Sequence, residues 1–404
     1  MNKIITDKIL IDEILDRGTI IKAIPSMDEL RRKLSSGKQL KIYIGFDATA
    51  PTLHLSHAKN IILLEKFRKL GHQVILLFGD FTARIGDPSE ESSARKQLSG
   101  SEVVENIKEW KRMIAPLMDF QDKVNPPLVK MNSDWLSKLN FEDVVNLAAN
   151  FTVQQILERD MFEKRMQEGN PIFLHEFLYP LMQGFDSVEL DVDIELCGTD
   201  QTFNALCGRT LLKRKNGKEK MVVNVTLMEN PKTGELMSKS KGIGVFLDKT
   251  PNDLFGQIMS QPDEMIEILF LHCTHISKDE IKTILKLHPK EAKLKLAMEI
   301  TTILHNIEIA NQAKNHFERT VTNKEMPDEM DEIYLEENEI SLVDLLLKTQ
   351  LVDSKSNARR LIEQNAIKIN GEVCNSDFEV KLISDQDLIL QKGKRSFMKI
   401  TKEL

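Results

Sequence analysis

Lys41-Ile42-Tyr43-Ile44-Gly45-Phe46, followed by Asp47-Ala48-Thr49-Ala50-Pro51-Thr52, decides how this chain folds. The first six residues are rich in β-branched and aromatic side chains and alternate in polarity, so they read as a strand. The next six are mostly turn formers. Leu55 to Leu70 carries a helical apolar period closed by Gly71 as its cap, and Gln73 to Gly79 is a second, apolar strand. Strand, loop, helix and strand in this order imply an α/β fold with a parallel sheet. A nucleotide site is then expected at the carboxyl ends of the strands.

Outward from this stretch, Met1 to about Lys38 reads as helical and amphipathic. Residues from about 95 to 175 read as mainly helical and interrupt the sheet. Val222-Val223-Asn224-Val225 reads as a late strand, and Asp253 to about Val321 as helical throughout. Glu325 to Glu339 holds eight acidic residues and no basic one, which by composition is a solvated linker. From Ser341 to Leu404 there are eleven Lys/Arg against nine Asp/Glu, so the tail is basic while the whole chain carries a net charge of −7. Any contact with a nucleic acid must therefore come from local patches. At 404 residues and 41% hydrophobic content, the chain can bury cores in about two to four domains.

Four scattered cysteines without a CxxC pair, and no signal peptide, point to a reducing cytoplasm. His272-Cys273-Thr274-His275 has the residue types of a ligand cluster but lacks a second half, so no metal site is expected. No apolar run approaches the ~20 residues of a membrane span.

Several short motifs carry chemistry. His54 and His57 lie three apart on or just before the first turn of the helix, so both imidazoles project the same way. A helix N-terminus offers unpaired N–H groups and the positive end of the dipole, a natural seat for phosphate. Gly45 permits close backbone approach, and Thr49 offers a hydroxyl near the same phosphates. Gly86-Asp87-Pro88-Ser89 reads either as an ordinary turn with a helix cap or as a carboxylate placed to hold an ammonium. Tyr179, Gln183 and Asp186 share one helical stripe, flanked by the apolar Leu181, Met182 and Phe185. Asp200-Gln201 follows Gly198 beyond the next strand. Met237-Ser238-Lys239-Ser240-Lys241, between Gly234 and Gly242, is a cationic loop able to close over a triphosphate.

Taken together, these segments resemble the bacterial tyrosyl-tRNA synthetases of class I over essentially the whole chain. His54-Leu55-Ser56-His57 matches their HIGH motif and Met237 to Lys241 their KMSKS motif. The resemblance implies a Rossmann-like catalytic domain over 1–250 with a helical insertion at about 110–190. A helical anticodon-binding domain follows over 251–324, then the acidic linker at 325–340. An α+β module over 341–404 resembles the RNA-binding domain of ribosomal protein S-four.

The resemblance also implies substrates and roles. Tyr43 and Asp186 are expected to bond the phenolic hydroxyl of tyrosine, and Asp87, Tyr179 and Gln183 its ammonium. Asp200 and Gln201 should meet the ribose and the amino-acid carboxylate region. Thr49, His54, His57 and Lys239 should act on the phosphates of Mg·ATP. Gly45, Asp47, Ser56, Gly198, Met237, Ser238, Ser240 and Arg95 complete the ATP seat. In the tail, Lys355, Arg359 and Arg360 should meet the phosphates of tRNA(Tyr). A homodimer interface is implied for the insertion, where Trp110, Ile114, Leu117 and Met118 suit an interface or a core equally.

Three residues depart from the family pattern, all on the ATP side. Ser56 replaces a glycine, Leu236 replaces the first lysine of the loop motif, and Glu91 stands where many relatives have a basic residue. Arg95 and Lys241 are expected to compensate. These departures leave open a catalytically altered paralogue that acts by binding RNA. A tryptophanyl relative shares the scaffold, but the tail module and the Tyr43/Asp186 pair argue against it.

Overall fold

The structure, a computed structural model, describes residues 3–86, 98–237, 242–322, 330–383, 387–393 and 396–402. The described chain divides into two units, Met1–Ala310 and Asn311–Leu404.

The first unit begins α1 (Lys8–Leu15), β1 (Ile20–Ile24), α2 (Met27–Leu34), β2 (Lys41–Phe46), α3 (Leu55–Lys69) and β3 (Gln73–Phe78). The opening stretch thus folds as its pattern dictates, and Gly71 takes the left-handed φ of 96° that ends α3. The amino-terminal segment differs from the helix expected there. Ile20-Ile21-Lys22-Ala23-Ile24 is β-branched enough to form an edge strand.

Next come α4 (Gly100–Ile114), β4 (Leu128–Met131), α5 (Ser133–Leu136), α6 (Phe141–Ala148), α7 (Val153–Leu157) and α8 (Asp160–Gln167). The interruption is mainly helical, as its pattern predicts, and it also holds β4, which pairs in parallel with β3 and closes that side of the sheet. The sheet is completed after α9 (Tyr179–Leu190) by β5 (Ile194–Gly198), α10 (Thr202–Asn216) and β6 (Met221–Val225). Its order is β1-β6-β5-β2-β3-β4, parallel except for the antiparallel edge strand β1. Then α11 (Pro251–Met259), α12 (Met265–Cys273), α13 (Lys278–Ile284), α14 (Pro289–Leu304) and α15 (Ile307–Phe317) follow, as the helical pattern predicts.

Burial explains the composition of these elements. Every residue of β6 is buried, as in a strand covered on both faces. α3 is buried almost all round, and its charged Glu65 and Arg68 are tied to each other and to Asp122. α9 and α10 cross at Gly184 and Gly208. A Cβ on Gly184 would lie 2.9 Å from Leu211 Cδ1 and 3.2 Å from the Gly208 nitrogen, so only glycine permits this approach.

In the second unit, β7 (Asp331–Leu335) and β8 (Glu339–Ser341) lead to α16 (Leu342–Lys348) and α17 (Lys355–Glu363). β9 (Ile367–Ile369), β10 (Glu372–Cys374), β11 (Glu379–Lys381), β12 (Leu388–Lys392) and β13 (Ser396–Lys402) follow. Leu342, Leu345, Leu346, Ala358, Ile362 and Leu390 form its core. The acidic stretch read as a linker is corrected in part: Asp331–Leu335 pairs in parallel with β13, with Ile333 and Leu335 turned inward. Composition outweighed period there, because eight carboxylates mask a short alternating run.

Two buried histidines set an acid limit. Burial lowers His72 from 6.5 to about 4 and His272 from 6.5 to about 3. The unfolded chain protonates near 6.5 while the folded chain resists. Their contribution is complete above pH 6.5 and is lost as pH falls from there, toward 4 for His72 and toward 3 for His272. Roughly 3 kcal/mol is the ceiling for His72. Urea denaturation should show a lower midpoint at pH 5.5 than at pH 7.5, and a smaller drop in His72→Gln.

Candidate active site

β2 is flanked by β3 on one side and β5 on the other. The chain therefore leaves β2 and β5 in opposite directions, and a crevice opens at their carboxyl ends. Phe46, the loop after it and Gly198 border this crevice.

One wall is the start of α3. His54 precedes its first turn in extended backbone (φ −126°, ψ 173°), and its carbonyl accepts from the His57 nitrogen at 2.8 Å. The two imidazoles lie 4.2 Å apart between ring centres, with Phe246 and Trp110 packed at their edges. The loop leading in is held from α4. Asn106 Nδ2 donates to the Ala48 carbonyl at 2.8 Å, and Trp110 Nε1 to that of Ala50 at 2.7 Å. The stretch after the Ser/Lys loop is tied to the same wall. The Leu55 nitrogen donates to the Val245 carbonyl at 3.0 Å and the Leu247 nitrogen to that of Leu53 at 2.8 Å, forming a bridge at His54 and Phe246. The segment leading into that loop is held by the Met237 nitrogen donating to the Met228 carbonyl at 3.0 Å.

The other wall is a chain of polar groups, buried at Thr82, Asn132 and Asp186 and half-buried at Asp47 and Gln183. Asp47 Oδ1 accepts from Thr82 Oγ1 at 2.6 Å, and Oδ2 accepts from the Tyr179 hydroxyl at 2.8 Å. Asn132 Nδ2 donates to Thr82 Oγ1 at 3.0 Å and reaches Asp186 Oδ2 at 3.4 Å. Trp135 Nε1 donates to Asp186 Oδ1 at 2.8 Å. Burial drives the Asp186 carboxyl well above the usual carboxylate range, against the pull of the Trp135 and Asn132 donors. Beneath lies Gln183, whose Nε2 donates to Glu195 at 3.0 Å and whose Oε1 accepts from Asn204 at 3.0 Å. At the rim, Gln201 Nε2 donates to Asp200 Oδ2 at 3.0 Å. Gly198 makes that rim possible, since a Cβ there would collide with Asp200.

Residues 35–322 match the family model for class I tRNA synthetases of the tryptophan and tyrosine type, and residues 322–400 match the C-terminal domain of tyrosine–tRNA ligases. The tyrosine–tRNA ligase of Moorella thermoacetica is 40% identical over 96% of this chain and 94% of that protein. The ligase of Carboxydothermus hydrogenoformans is 40% identical over 96% and 97%. The chain belongs to the tyrosyl-tRNA synthetase family.

The same fold is seen in a C-terminally truncated mitochondrial tyrosyl-tRNA synthetase of Aspergillus nidulans. Its TM-score is 0.65 at 22% identity, covering 76% of this chain and 92% of that one. The Archaeoglobus fulgidus tyrosyl-tRNA synthetase, complexed with L-tyrosine, gives 0.57 at 20% identity, covering 75% and 99%.

In this synthetase Gly45 lies on β2, Asp47 and Thr49 in the loop after it, His54, Ser56 and His57 at the start of α3, Tyr179, Gln183 and Asp186 on α9, and Gly198, Asp200 and Gln201 at and just beyond the end of β5. Tyr43 lies on β2, and its hydroxyl is 2.8 Å from Ser187 Oγ, beside Glu195. The strand register explains this, because Tyr43 sits opposite Glu195 and the phenol follows that neighbour into the core. Trp110, Ile114, Leu117 and Met118 are buried within the chain's own core, which accounts for their apolar character. Asp87, Glu91, Arg95, Ser238, Lys239, Ser240 and Lys241 lie outside the described residues.

Trp135, Asn132, Thr82, Ser187, Glu195 and Lys220 escaped the sequence reading. Glu195 alone left a signal, as a lone acid inside the apolar Ile194-Glu195-Leu196-Cys197. In the tail, Lys355 pairs with Asp344 at 2.8 Å, Arg360 bonds Asn357 at 2.9 Å, and Arg359 is exposed on the same short helix.

Gly79 is the tightest point of the polar wall, because a Cβ would collide with Asp47 Oδ1 and Thr82 Oγ1. Gly79→Ala should cost about 1–3 kcal/mol in chemical denaturation. Thr82→Val, which leaves the space open, should cost less.

Proposed function

We propose that the enzyme is a tyrosine–tRNA ligase with a two-step reaction. The carboxylate of tyrosine attacks the α-phosphate of Mg·ATP, giving tyrosyl-adenylate and pyrophosphate. The 3′-terminal ribose of tRNA(Tyr) then takes the tyrosyl group. The observation that carries this reading is one crevice bounded by a paired-imidazole helix start and by a buried carboxyl, Asp186, aimed by Trp135 and Asn132. Phosphate suits the first wall, and a phenolic hydroxyl suits the second. Phenylalanine would strand the Asp186 carboxyl, and tyrosine-activating enzymes are the established instance of such rejection.

The roles proposed are those the family resemblance implies. Tyr43 and Asp186 take the substrate hydroxyl. Asp87, Tyr179 and Gln183 hold the ammonium, and Gln201 faces the substrate carboxylate. Gly45, Asp47, Ser56, Gly198, Asp200, Met237 and Arg95 seat ATP, with magnesium arriving as part of that substrate. Thr49, His54, His57, Lys239 and its neighbours Ser238 and Ser240 stabilise the charge that develops on the phosphates. Little proton transfer is needed, so rate comes from positioning and electrostatics.

We further propose that 251–324 reads the anticodon and that 341–404 holds tRNA through Lys355, Arg359 and Arg360. Two copies are proposed to associate through the insertion, where Phe141 (84% exposed) and Leu174 (78%) offer apolar surface. Equilibrium sedimentation should give twice the chain mass. The buried, unpaired thiols suit a cytoplasmic setting.

The deciding experiment is amino-acid-dependent ATP–pyrophosphate exchange with tyrosine, phenylalanine and tryptophan, with Ser56→Gly alongside. Exchange with tyrosine alone is expected, and Ser56→Gly should lower the KM for ATP. Exchange with tryptophan would overturn the substrate. Silence from both proteins would favour the RNA-binding paralogue. His57→Ala should slow adenylate formation by roughly 100-fold with little change in the KM for tyrosine. Arg359→Ala/Arg360→Ala should weaken tRNA binding and reduce its salt dependence by about two phosphate contacts.

A further inference from the structure

We infer that Glu195, braced by Lys220, is a positioning residue for amino-acid binding. Its carboxylate fixes which way the Gln183 amide faces and so turns the amide oxygen toward the substrate ammonium. This rests on the tyrosine-ligase reading and adds two residues to it.

Glu195 is the second residue of β5 and is 2% exposed, and Lys220, just before β6, is 1% exposed. The Lys220 ammonium contacts the Glu195 carboxylate, lies 2.6 Å from Ser187 Oγ, and sits 5.7 Å from the centre of the Tyr43 ring. Gly208 leaves the room for it, since a Cβ there would be 2.5 Å from Nζ. Withdrawing two charges from water costs several kcal/mol for each ion, and a well-packed apolar pair often serves stability as well or better. Stability alone therefore does not account for this pair.

What distinguishes Glu195 from an apolar or amide side chain is that its ionised form only accepts hydrogen bonds. Gln183 must show it the NH2 end, at 3.0 Å. Its oxygen is thereby turned the other way, where it accepts from Asn204 Nδ2 at 3.0 Å. The same Asn204 nitrogen donates to Gln201 Oε1 at 2.9 Å, and Gln201 Nε2 donates onward to Asp200 Oδ2 at 3.0 Å. Asn204 thus donates in both directions, and each direction ends at a carboxylate. The sense of all three amides follows from those two ends.

An amino-acid ammonium carries donors only, so it needs the Gln183 oxygen and is repelled by the NH2 group. Were the acid an amide, it would offer either end, and only the exposed Asp200 at the far end of the chain of amides would still bias Gln183. Lys220 completes the device by balancing the charge of Glu195, so the pair orients the amide without adding a net charge beneath the site.

The test uses the full chain and three ligands. Tyrosine and tyramine carry the ammonium, whereas 3-(4-hydroxyphenyl)propionate lacks it. In Glu195→Gln, the Kd for tyrosine and for tyramine should rise roughly 10- to 100-fold. That for 3-(4-hydroxyphenyl)propionate and the KM for ATP should hold within about twofold. Glu195→Asp should restore part of the loss. The double variant Glu195→Gln/Lys220→Gln, which leaves no stranded ammonium, should keep the defect while melting near the parent temperature. Equal weakening of all three ligands, or unchanged tyrosine binding in Glu195→Gln, overturns the inference while tyrosine-dependent exchange by the parent protein stands. Absence of that exchange in the parent overturns the tyrosine-ligase reading, and this inference with it.

Discussion

Polar side chains brought into the covered face of a parallel sheet must find their partners there, and this constraint organises the molecule. Tyr43 and Glu195 face one another across β2 and β5 because the register sets them side by side. Once buried, the acid needs a cation, the cation needs space, and the space requires a glycine where α9 crosses α10. The crossing brings Gln183 and Ser187 against the sheet within bonding distance of Glu195. Asp186, one residue before Ser187, is thereby aimed at the donors carried by α5 and its preceding loop.

The same constraint separates two kinds of chemistry within one crevice. On the α3 side, the helix start and paired imidazoles present donors suited to anions. On the α9 side, carboxyls, a phenol and amides present acceptors suited to a hydroxyl and an ammonium. Asp47 joins the two, because it follows the same strand that feeds α3 and yet bonds Thr82 and Tyr179. A ligand with phosphate at one end and an amino acid at the other matches this polarity along its length.

Much of this was legible in the sequence where a pattern is local. The β2–α3–β3 stretch, α9 and its polar stripe, and the helical run from α11 to α15 follow from period and caps. Legibility failed where the decisive contact is long-range. Nothing near Lys220 marks it as the partner of Glu195, and Trp135 reads as an ordinary apolar residue until the fold carries it to Asp186. The contact between Tyr43 and Ser187 is set by the β2–β5 register, which residue types do not disclose. β7 was hidden by its own acidity, because its inward Ile333 and Leu335 are too few to outweigh the carboxylates around them.

The backbone bridge between His54 and Phe246 has a consequence for the order of assembly. In a chain made from its amino end, the start of α3 is complete early, but its hydrogen-bonded neighbour follows only about 190 residues later. Strand β6, which the sheet needs between β5 and β1, is also made late. The imidazole wall therefore reaches its final geometry only after the whole insertion and the Ser/Lys loop have left the ribosome. A nascent chain ending before Leu247 carries both histidines without their finished surroundings, and so without the site they form.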